Sequence, residues 1–229
     1  ALLEVGYAFH GGEPEEQHLL VSGILVGRTG PKDVHGAMRP VDLFDAKADA
    51  EAVLAAMGAP AKVQILRGAR EWWHPGRHGK ICLGPKKMLG IFGELHPKVL
   101  SEMDVKGPVV GFTLWPAEIP MARKSGSGRG AMEISDLQAV ERDFAFVVDE
   151  GVEALTLVNA AAGADKALIE TVRVFDEYIG GALGEGKKSL AITVRLQPRE
   201  STLKEADIET VSAKIIEKVT KATGGVLRH

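Results

Sequence analysis

The chain lacks the features of secreted, disulfide-bonded and membrane-spanning proteins. It has one cysteine, Cys82, so no disulfide can form within the chain, and such cysteine usage is typical of a reducing cytoplasm. No run reaches the roughly 18 apolar residues of a membrane-spanning helix, and no secretory signal peptide is recognisable. We therefore expect a cytoplasmic protein with no membrane contact.

Strong charge of one sign is also missing. The formal net charge is −3, and residues 135–229 hold 12 lysines and arginines against 16 aspartates and glutamates. Neutralisation of phosphates supplies most of the affinity of non-specific nucleic-acid binding, so this acidic segment is a poor candidate for it. We expect any RNA contact from this segment to be local and weak by itself, and we expect no DNA partner.

The chain does not begin with methionine, and an apparent strand follows Ala1 directly. We therefore expect a piece of a longer protein. Within it, residues 123–130 combine glycine, serine and positive charge without apolar periodicity, which is typical of an exposed connector. This composition predicts a first domain over 1–120, a linker over 121–134 and a second domain over 135–229.

The first domain has the pattern of an antiparallel sheet with few helices, which favours the α+β class. A helix is predicted over 42–57 and a helical turn over 97–101. The predicted core face of the longer helix consists of Val41, Phe44, Ala48, Ala52 and Ala55. The predicted strands cover residues 2–9, 17–26, 62–67, 80–83, 88–95 and 111–115.

The second domain is predicted to have the order strand, helix, strand, strand, helix, strand, which is the ferredoxin-like arrangement. Its apolar alternation directs Phe144, Phe146 and Val148 towards one face of the sheet. The last helix is predicted to begin near Leu203, with Thr202 as its N-cap. The predicted strands cover 140–148, 171–178, 189–197 and 225–228, and the helices cover 155–162 and 203–223.

A ferredoxin-like domain covers one sheet face with helices and leaves the other face open. Strand parity predicts that Arg173, Phe175 and Arg195 point outward on that open face. Two arginines and an aromatic ring on a sheet are suited to stacking with RNA bases. The alternative is that Arg173 and Arg195 form ion pairs with Glu177 and Asp143.

One further polar cluster in the first domain has residue types that could carry chemistry. His74, Glu94 and His96 are conceivable metal ligands or an acid–base pair of an independent enzyme. Their spacing does not favour this, because no HExxH pattern occurs and the two histidines are predicted on different loops. Histidine before proline is more often a turn residue.

Several runs of residues resemble the beta chain family of phenylalanyl-tRNA synthetases, and they occur in the family's order over nearly the whole chain. In the first domain the resemblance is carried by Asp42–Lys47, His74–Arg77 and Gly93–Pro97. In the second domain it is carried by Ala139–Val148, Val174–Asp176, Gly186–Ala191 and Arg195–Pro198.

The resemblance implies a ligase that charges tRNA with phenylalanine, using ATP and magnesium. It implies an alpha subunit that performs the catalysis within an (αβ)2 heterotetramer. The first domain would be a class II synthetase-like module without catalytic residues, and residues 1–120 indeed contain no ATP-binding G-x-G-x-x-R segment. No metal or cofactor would be held by this part of the beta subunit.

In the family the terminal domain contacts the anticodon stem-loop of tRNA. Strand position and surface chemistry predict that the contacting residues here are Arg173, Phe175, Lys187, Lys188, Arg195 and Arg199. An alternative remains open, because ferredoxin-like domains frequently pair edge to edge. In that case the chain would be a small-molecule-sensing regulatory module that forms homodimers.

Overall fold

The computed structural model divides the chain into two compact units, residues 1–128 and 129–229. Each unit has a hydrophobic core of its own. The structure describes residues 1–30, 34, 36, 38–60, 63–68, 72–120 and 135–228. The predicted linker over 121–134 lies outside these residues, and the predicted domain boundaries remain predictions.

The first unit is built on an antiparallel sheet. Its elements are β1 (Leu2–Phe9), β2 (Gln17–Val26), α1 (Leu43–Ala56), β3 (Gln64–Leu66), β4 (Trp73–Leu83), β5 (Lys87–Leu95), α2 (Pro97–Glu102) and β6 (Val109–Leu114). Among the described residues the sheet has six strands in the order β1-β2-β6-β5-β4-β3. This confirms the predicted α+β class.

Helix α1 buries a different side from the one that its sequence suggested. Ala46, Ala50 and Leu54 are buried in the core over β5 and β6, together with Val41. The remaining members of the predicted core face are exposed, and Phe44 reaches 66% exposure. The prediction was wrong because alanines lie on both sides of this helix, so apolar periodicity does not select one of them.

The beginning of α1 follows from its sequence. Asp42 accepts hydrogen bonds from the backbone N–H groups of Phe44 and Asp45, and the Asp45 carboxylate accepts from the N–H of Asp42 at 2.8 Å. These reciprocal bonds satisfy N–H groups that have no partner within the helix. The Asp45 carboxylate also accepts two hydrogen bonds from Arg39, each 2.7 Å long.

Strand β4 begins at Trp73 and not at Lys80 as predicted. Its pairing with β5 is irregular between Trp73 and His78. Such a bulge accommodates Pro75, which has no N–H to donate to the neighbouring strand. His74 therefore lies within an irregular strand and not in a loop.

The second unit confirms the predicted βαββαβ order. Its elements are β7 (Val140–Asp149), α3 (Ala154–Ala162), β8 (Ile169–Tyr178), β9 (Lys187–Leu196), α4 (Glu205–Thr223) and β10 (Val226–Leu227). Within residues 135–228 the sheet has four antiparallel strands in the order β10-β7-β9-β8. Phe144, Phe146 and Val148 are buried as predicted, in one cluster with side chains of α3 and α4.

The apolar residues of α4 recur at spacings of three and four, which predicts one buried stripe, and Ile208, Val211, Ile215 and Val219 are buried whereas Ala222 at its end is exposed. Its start differs from the prediction. The helix begins at Glu205 with Lys204, not Thr202, as its N-cap residue, and the Asp207 carboxylate accepts the N–H of Lys204 at 3.0 Å. None of the helices in the described residues combines the length and apolar character needed to cross a membrane.

Candidate nucleic-acid interface

The candidate interface is the face of the second unit's sheet opposite α3 and α4, which we call the outer face. Directly opposed residues of paired strands share a face, so the strand register identifies its members. Because Phe144 and Phe146 are buried in the core, the residues between and beside them point to the outer face. The residues of the outer face include Glu141, Asp143, Ala145, Arg173, Asp176, Tyr178, Ala191, Thr193 and Arg195.

A bulge in β8 brings aromatic residues to this surface. The register between β8 and β9 shifts between Val174 and Asp176, which leaves Phe175 as an extra residue in the strand. After the shift Tyr178 lies opposite Ser189, a residue of the outer face. Phe175 is 54% exposed and Tyr178 44% exposed, so both rings are accessible.

Tyr178 also contacts an arginine from the other edge of the sheet. The Arg228 guanidinium carbon lies 5.9 Å from the centre of the Tyr178 ring, within the range of a cation–π contact. Arg228 follows β10, and its N–H donates to the Ala145 carbonyl at 2.8 Å. The small side chains of Ala145 and Ala191 lie between the two edges. Sequence reasoning missed this pair, because parity without the bulge does not place Tyr178 on the outer face.

Arg195 lies on the outer face as predicted, but acidic residues hold it there. Its Nε donates to Glu170 at 2.7 Å, and its Nη1 donates to Glu141 at 3.4 Å. The hydrogen bond to Glu170, followed by that to Glu141, raises the pKa of Arg195 above its ordinary value. The alternative of ion pairing is therefore found for Arg195, with carboxylates other than Glu177 and Asp143.

Arg173 differs from Arg195, although it lies on the neighbouring strand and the same face. It is exposed, and the structure gives it no ion pair among the described residues. Asp143, one of the two acidic residues considered as partners of these arginines, accepts a hydrogen bond from the Thr193 hydroxyl at 2.7 Å. Arg173 is thus more available than Arg195.

The remaining predicted cations are placed differently from one another. Lys187 forms an ion pair with Asp149 at 2.6 Å at the end of the outer face. Lys188 lies opposite the core residue Val148, its side chain is 8% exposed, and its Nζ lies 3.1 Å from Glu177. The structure does not bring Lys188 together with Arg173, because β9 begins earlier than predicted and parity turns this lysine to the core side.

Arg199 follows β9, in an exposed turn after Pro198. The Pro198 carbonyl accepts a hydrogen bond from the Ser135 hydroxyl at 2.9 Å, so the start of the unit and this turn are joined. Arg199 therefore extends the candidate interface beyond the end of β9. Its place is determined by the residue at which β9 ends and not by a sequence motif.

His74, Glu94 and His96 each have a structural contact in the first unit. His74 Nδ1 accepts from the Gly76 N–H at 3.1 Å, and His96 Nδ1 accepts from the Lys98 N–H at 3.1 Å at the start of α2. Glu94 accepts from Arg77 at 2.9 Å. In the part of the chain that the structure describes, no three His, Cys, Asp or Glu side chains are grouped to hold a metal ion.

Comparison with known families agrees with this geometry. Residues 135–228 match the model of the ferredoxin-fold anticodon binding domain, which gives the class of the second unit. Residues 1–115 match the model of the phenylalanyl tRNA synthetase beta chain CLM domain. The chain belongs to the phenylalanyl-tRNA synthetase beta chain family, as its sequence segments predicted.

The chain is similar over its whole length to curated relatives. It is 78% identical over 228 residues to the phenylalanine–tRNA ligase beta subunit of Ruegeria pomeroyi, covering 100% of this chain and 29% of the relative. It is 63% identical to that of Cereibacter sphaeroides, with 100% and 29% covered. For that of Rhodospirillum rubrum the identity is 48%, with 99% and 28% covered. The chain thus spans less than a third of the length of these relatives.

Proposed function

We propose that the chain is the non-catalytic C-terminal part of a phenylalanine–tRNA ligase beta subunit. In this proposal residues 135–229 contact the anticodon stem-loop of tRNA, and residues 1–120 contribute to assembly. The ligation of phenylalanine to tRNA, with ATP and magnesium, belongs to the alpha subunit of a cytoplasmic (αβ)2 heterotetramer. The domain match and the open sheet face support the first assignment.

The observation that carries the proposal is the combination of Phe175, Tyr178, Arg173 and Arg228 on or beside one accessible sheet face. Unstacked bases bind proteins by stacking on aromatic rings and guanidinium planes, and each stacked base contributes about 1–3 kcal/mol. Asp176 is exposed beside Phe175, and its carboxylate can accept hydrogen bonds from base amino groups. Such a surface suits a short single-stranded loop.

The predicted contact residues have different parts in this proposal. Arg173 and Phe175 contact tRNA directly, and Arg199 extends the surface. Arg195 and Lys187 must first exchange their carboxylate partners for phosphate or base atoms. Lys188 acts indirectly, since its pairing with Glu177 holds β9 and the edge of β8 together.

Magnesium and ATP are not assigned to this chain. The three polar residues considered for metal binding, His74, Glu94 and His96, are engaged with Gly76, Arg77 and Lys98. This arrangement does not fit a shared metal site. Assembly with an alpha subunit agrees with the matched CLM domain.

The alternative of a small-molecule sensor that dimerises through sheet edges is less well supported. One edge strand, β8, is interrupted by the bulge at Phe175, and bulged edges resist pairing with another strand. The other edge strand, β10, contains two residues. Neither edge offers the long regular strand on which such dimers depend.

The proposal is tested by tRNA kinetics of the full complex. Arg173→Glu and Tyr178→Ala should each raise the KM for tRNA roughly 5- to 100-fold, which corresponds to the loss of one phosphate or stacking contact. Activation of phenylalanine, measured by ATP–pyrophosphate exchange, should not change, because the alpha subunit performs it. Lys166→Glu is the matched control, as an exposed cation outside the sheet.

Unchanged tRNA kinetics in both variants would remove this assignment of the interface. A loss of phenylalanine activation in the variants would also count against it, since it would indicate damage to the complex. The salt dependence of tRNA affinity gives an independent test of this interface. Because Arg195 and Lys187 of the outer face already pair with carboxylates, the contribution of this domain to tRNA affinity should depend only weakly on salt concentration.

A further inference from the structure

Strand β1 exposes apolar side chains of a kind that folded proteins normally bury. Leu3, Val5, Tyr7 and Phe9 occupy every second position, so they lie along one side of the strand, and each is between 60% and 68% exposed. β1 is an edge strand that pairs with β2, and with no other strand among the described residues. A continuous row of four large apolar side chains in water is unusual and marks a contact surface.

This row continues the core of the first unit. Val5 lies directly opposite Val21, which is buried in the core, and Val21 lies opposite the core residue Leu114. The row is therefore on the same sheet face as α1. Helix α1 covers that face over β5, β6 and part of β2, and the apolar surface extends past it onto β1.

We propose that, in the full subunit, the preceding part of the same polypeptide packs on the row formed by Leu3, Val5, Tyr7 and Phe9. More than two thirds of the length of the curated relatives lies outside the matched region, which is C-terminal in the relative from Ruegeria pomeroyi. The preceding polypeptide is thus joined covalently to the exposed strand, and such a tether gives it a high effective concentration there.

The chemistry of the row favours an intrachain core over an interface with a separate subunit. None of its four side chains is charged, and they adjoin a core whose apolar side chains are already buried. Interfaces between separately folded proteins carry a polar rim around a smaller apolar centre. This inference depends on the family of the chain and not on its contact with tRNA.

Photo-crosslinking in the assembled complex tests the proposal. The photoreactive residue p-benzoylphenylalanine is placed at Tyr7 or at Phe9, where it replaces one aromatic ring by another. Irradiation should give a beta subunit of unchanged subunit mass on denaturing gels, with the probe joined to a peptide that precedes Ala1. The same probe at Glu185, in the exposed turn before β9, serves as the free-surface control and should give no such product.

Three results would overturn the proposal. They are an adduct of beta with alpha subunit, an adduct of two beta subunits, and a yield at Tyr7 and Phe9 no higher than that at Glu185. The first two would assign the row to a partner or to a second copy. The third would leave it exposed to water in the complex.

The wild-type complex offers a second measurement, which does not depend on the probe variants folding. The chain contains two tyrosines, and here Tyr7 is 63% exposed and Tyr178 is 44% exposed. If the row remained open, hydroxyl radicals would modify Tyr7 faster than Tyr178. We expect the reverse order in the complex without tRNA, with Tyr7 at least several-fold slower. Faster modification of Tyr7 would contradict the proposal.

Discussion

The two units differ in which of their residues are exposed to solvent. In the second unit, a four-stranded sheet is packed against two helices, and its buried cluster includes Phe146, Leu190 and Ile215. In the first unit, the described residues form a larger sheet of six strands, and α1 covers only part of one face. We propose the exposed sheet face of the second unit as a binding surface, and the exposed apolar row of the first unit as a face that preceding polypeptide covers.

The largest expected effect concerns the two units in isolation. Residues 135–229 produced alone should be monomeric and unfold in one cooperative transition, because their core is complete. Residues 1–120 produced alone should associate, since the apolar row of β1 remains in water. Light scattering and thermal unfolding followed by circular dichroism distinguish these outcomes. A monomeric, cooperatively unfolding first unit would remove the contrast between the units.

A charge placed in the core of the second unit should have the next largest effect. Ile215 is 1% exposed, so Ile215→Asp would bury an unpaired carboxylate and cost about 3–5 kcal/mol. Urea unfolding of residues 135–229 should then show no cooperative transition or a much lower midpoint. The matched control is Ala213→Asp on the exposed side of α4, with an expected loss below about 1 kcal/mol. Equal losses at the two positions would contradict the assigned core.

An intermediate effect is expected when an exposed valine of each unit is replaced by aspartate, because only the valine of the first unit is proposed to be covered in the complex. Val5→Asp in β1 should destabilise the full complex by about 2–3 kcal/mol, since the proposed cover would meet a carboxylate. Val226→Asp in β10 should cost less than about 1 kcal/mol, because Val226 borders the open outer face. Amide hydrogen exchange of β1–β2 and of β10–β7 in the complex measures both. Similar protection after the two substitutions would count against a covered β1.

The smallest effect concerns the helix starts. The hydrogen bond from Arg39, and next the one from the Asp42 N–H, lower the pKa of Asp45 in the folded state. Such a group stabilises the fold above its unfolded pKa, and this stabilisation is lost as the pH falls through the lowered folded pKa. Asp45→Asn should therefore cost about 1 kcal/mol at neutral pH. The difference from wild type should shrink below about pH 4.

Hydrogen exchange of α1 amides in the complex measures this difference. The comparison is Asp207→Asn in α4, where the carboxylate accepts the Lys204 N–H and the structure gives no arginine partner among the described residues. We expect a smaller loss there. A loss at Asp45 that persisted unchanged at low pH would show that its charge is not responsible.

Much of the fold is predictable because the relevant signals are local. The alternation around Phe144 and Phe146 and the stripe through Ile208, Ile215 and Val219 are each contained in one element, and the structure buries these side chains. The paired strands β1 and β2 were predicted at their observed bounds for the same reason. Alanine-rich α1 was the exception, since its composition gave both sides similar apolar character.

The candidate interface was less predictable because its properties depend on residues that are distant in the chain. Arg195 is held by Glu170 and Glu141, which belong to the two neighbouring strands. Tyr178 reaches the outer face only because of the bulge at Phe175, and its partner Arg228 comes from beyond β10. None of these contacts follows from the spacing of residues within a single strand.

The sequence alone determined the order of elements, the buried faces of β7 and α4, and the family of the chain, because periodicity and short motifs act within one element. The tertiary structure alone decided which cations are neutralised, where the aromatic rings emerge, and which apolar face is left without cover. These properties depend on strand register, and a shift of one residue in register moves a side chain to the opposite face of a sheet.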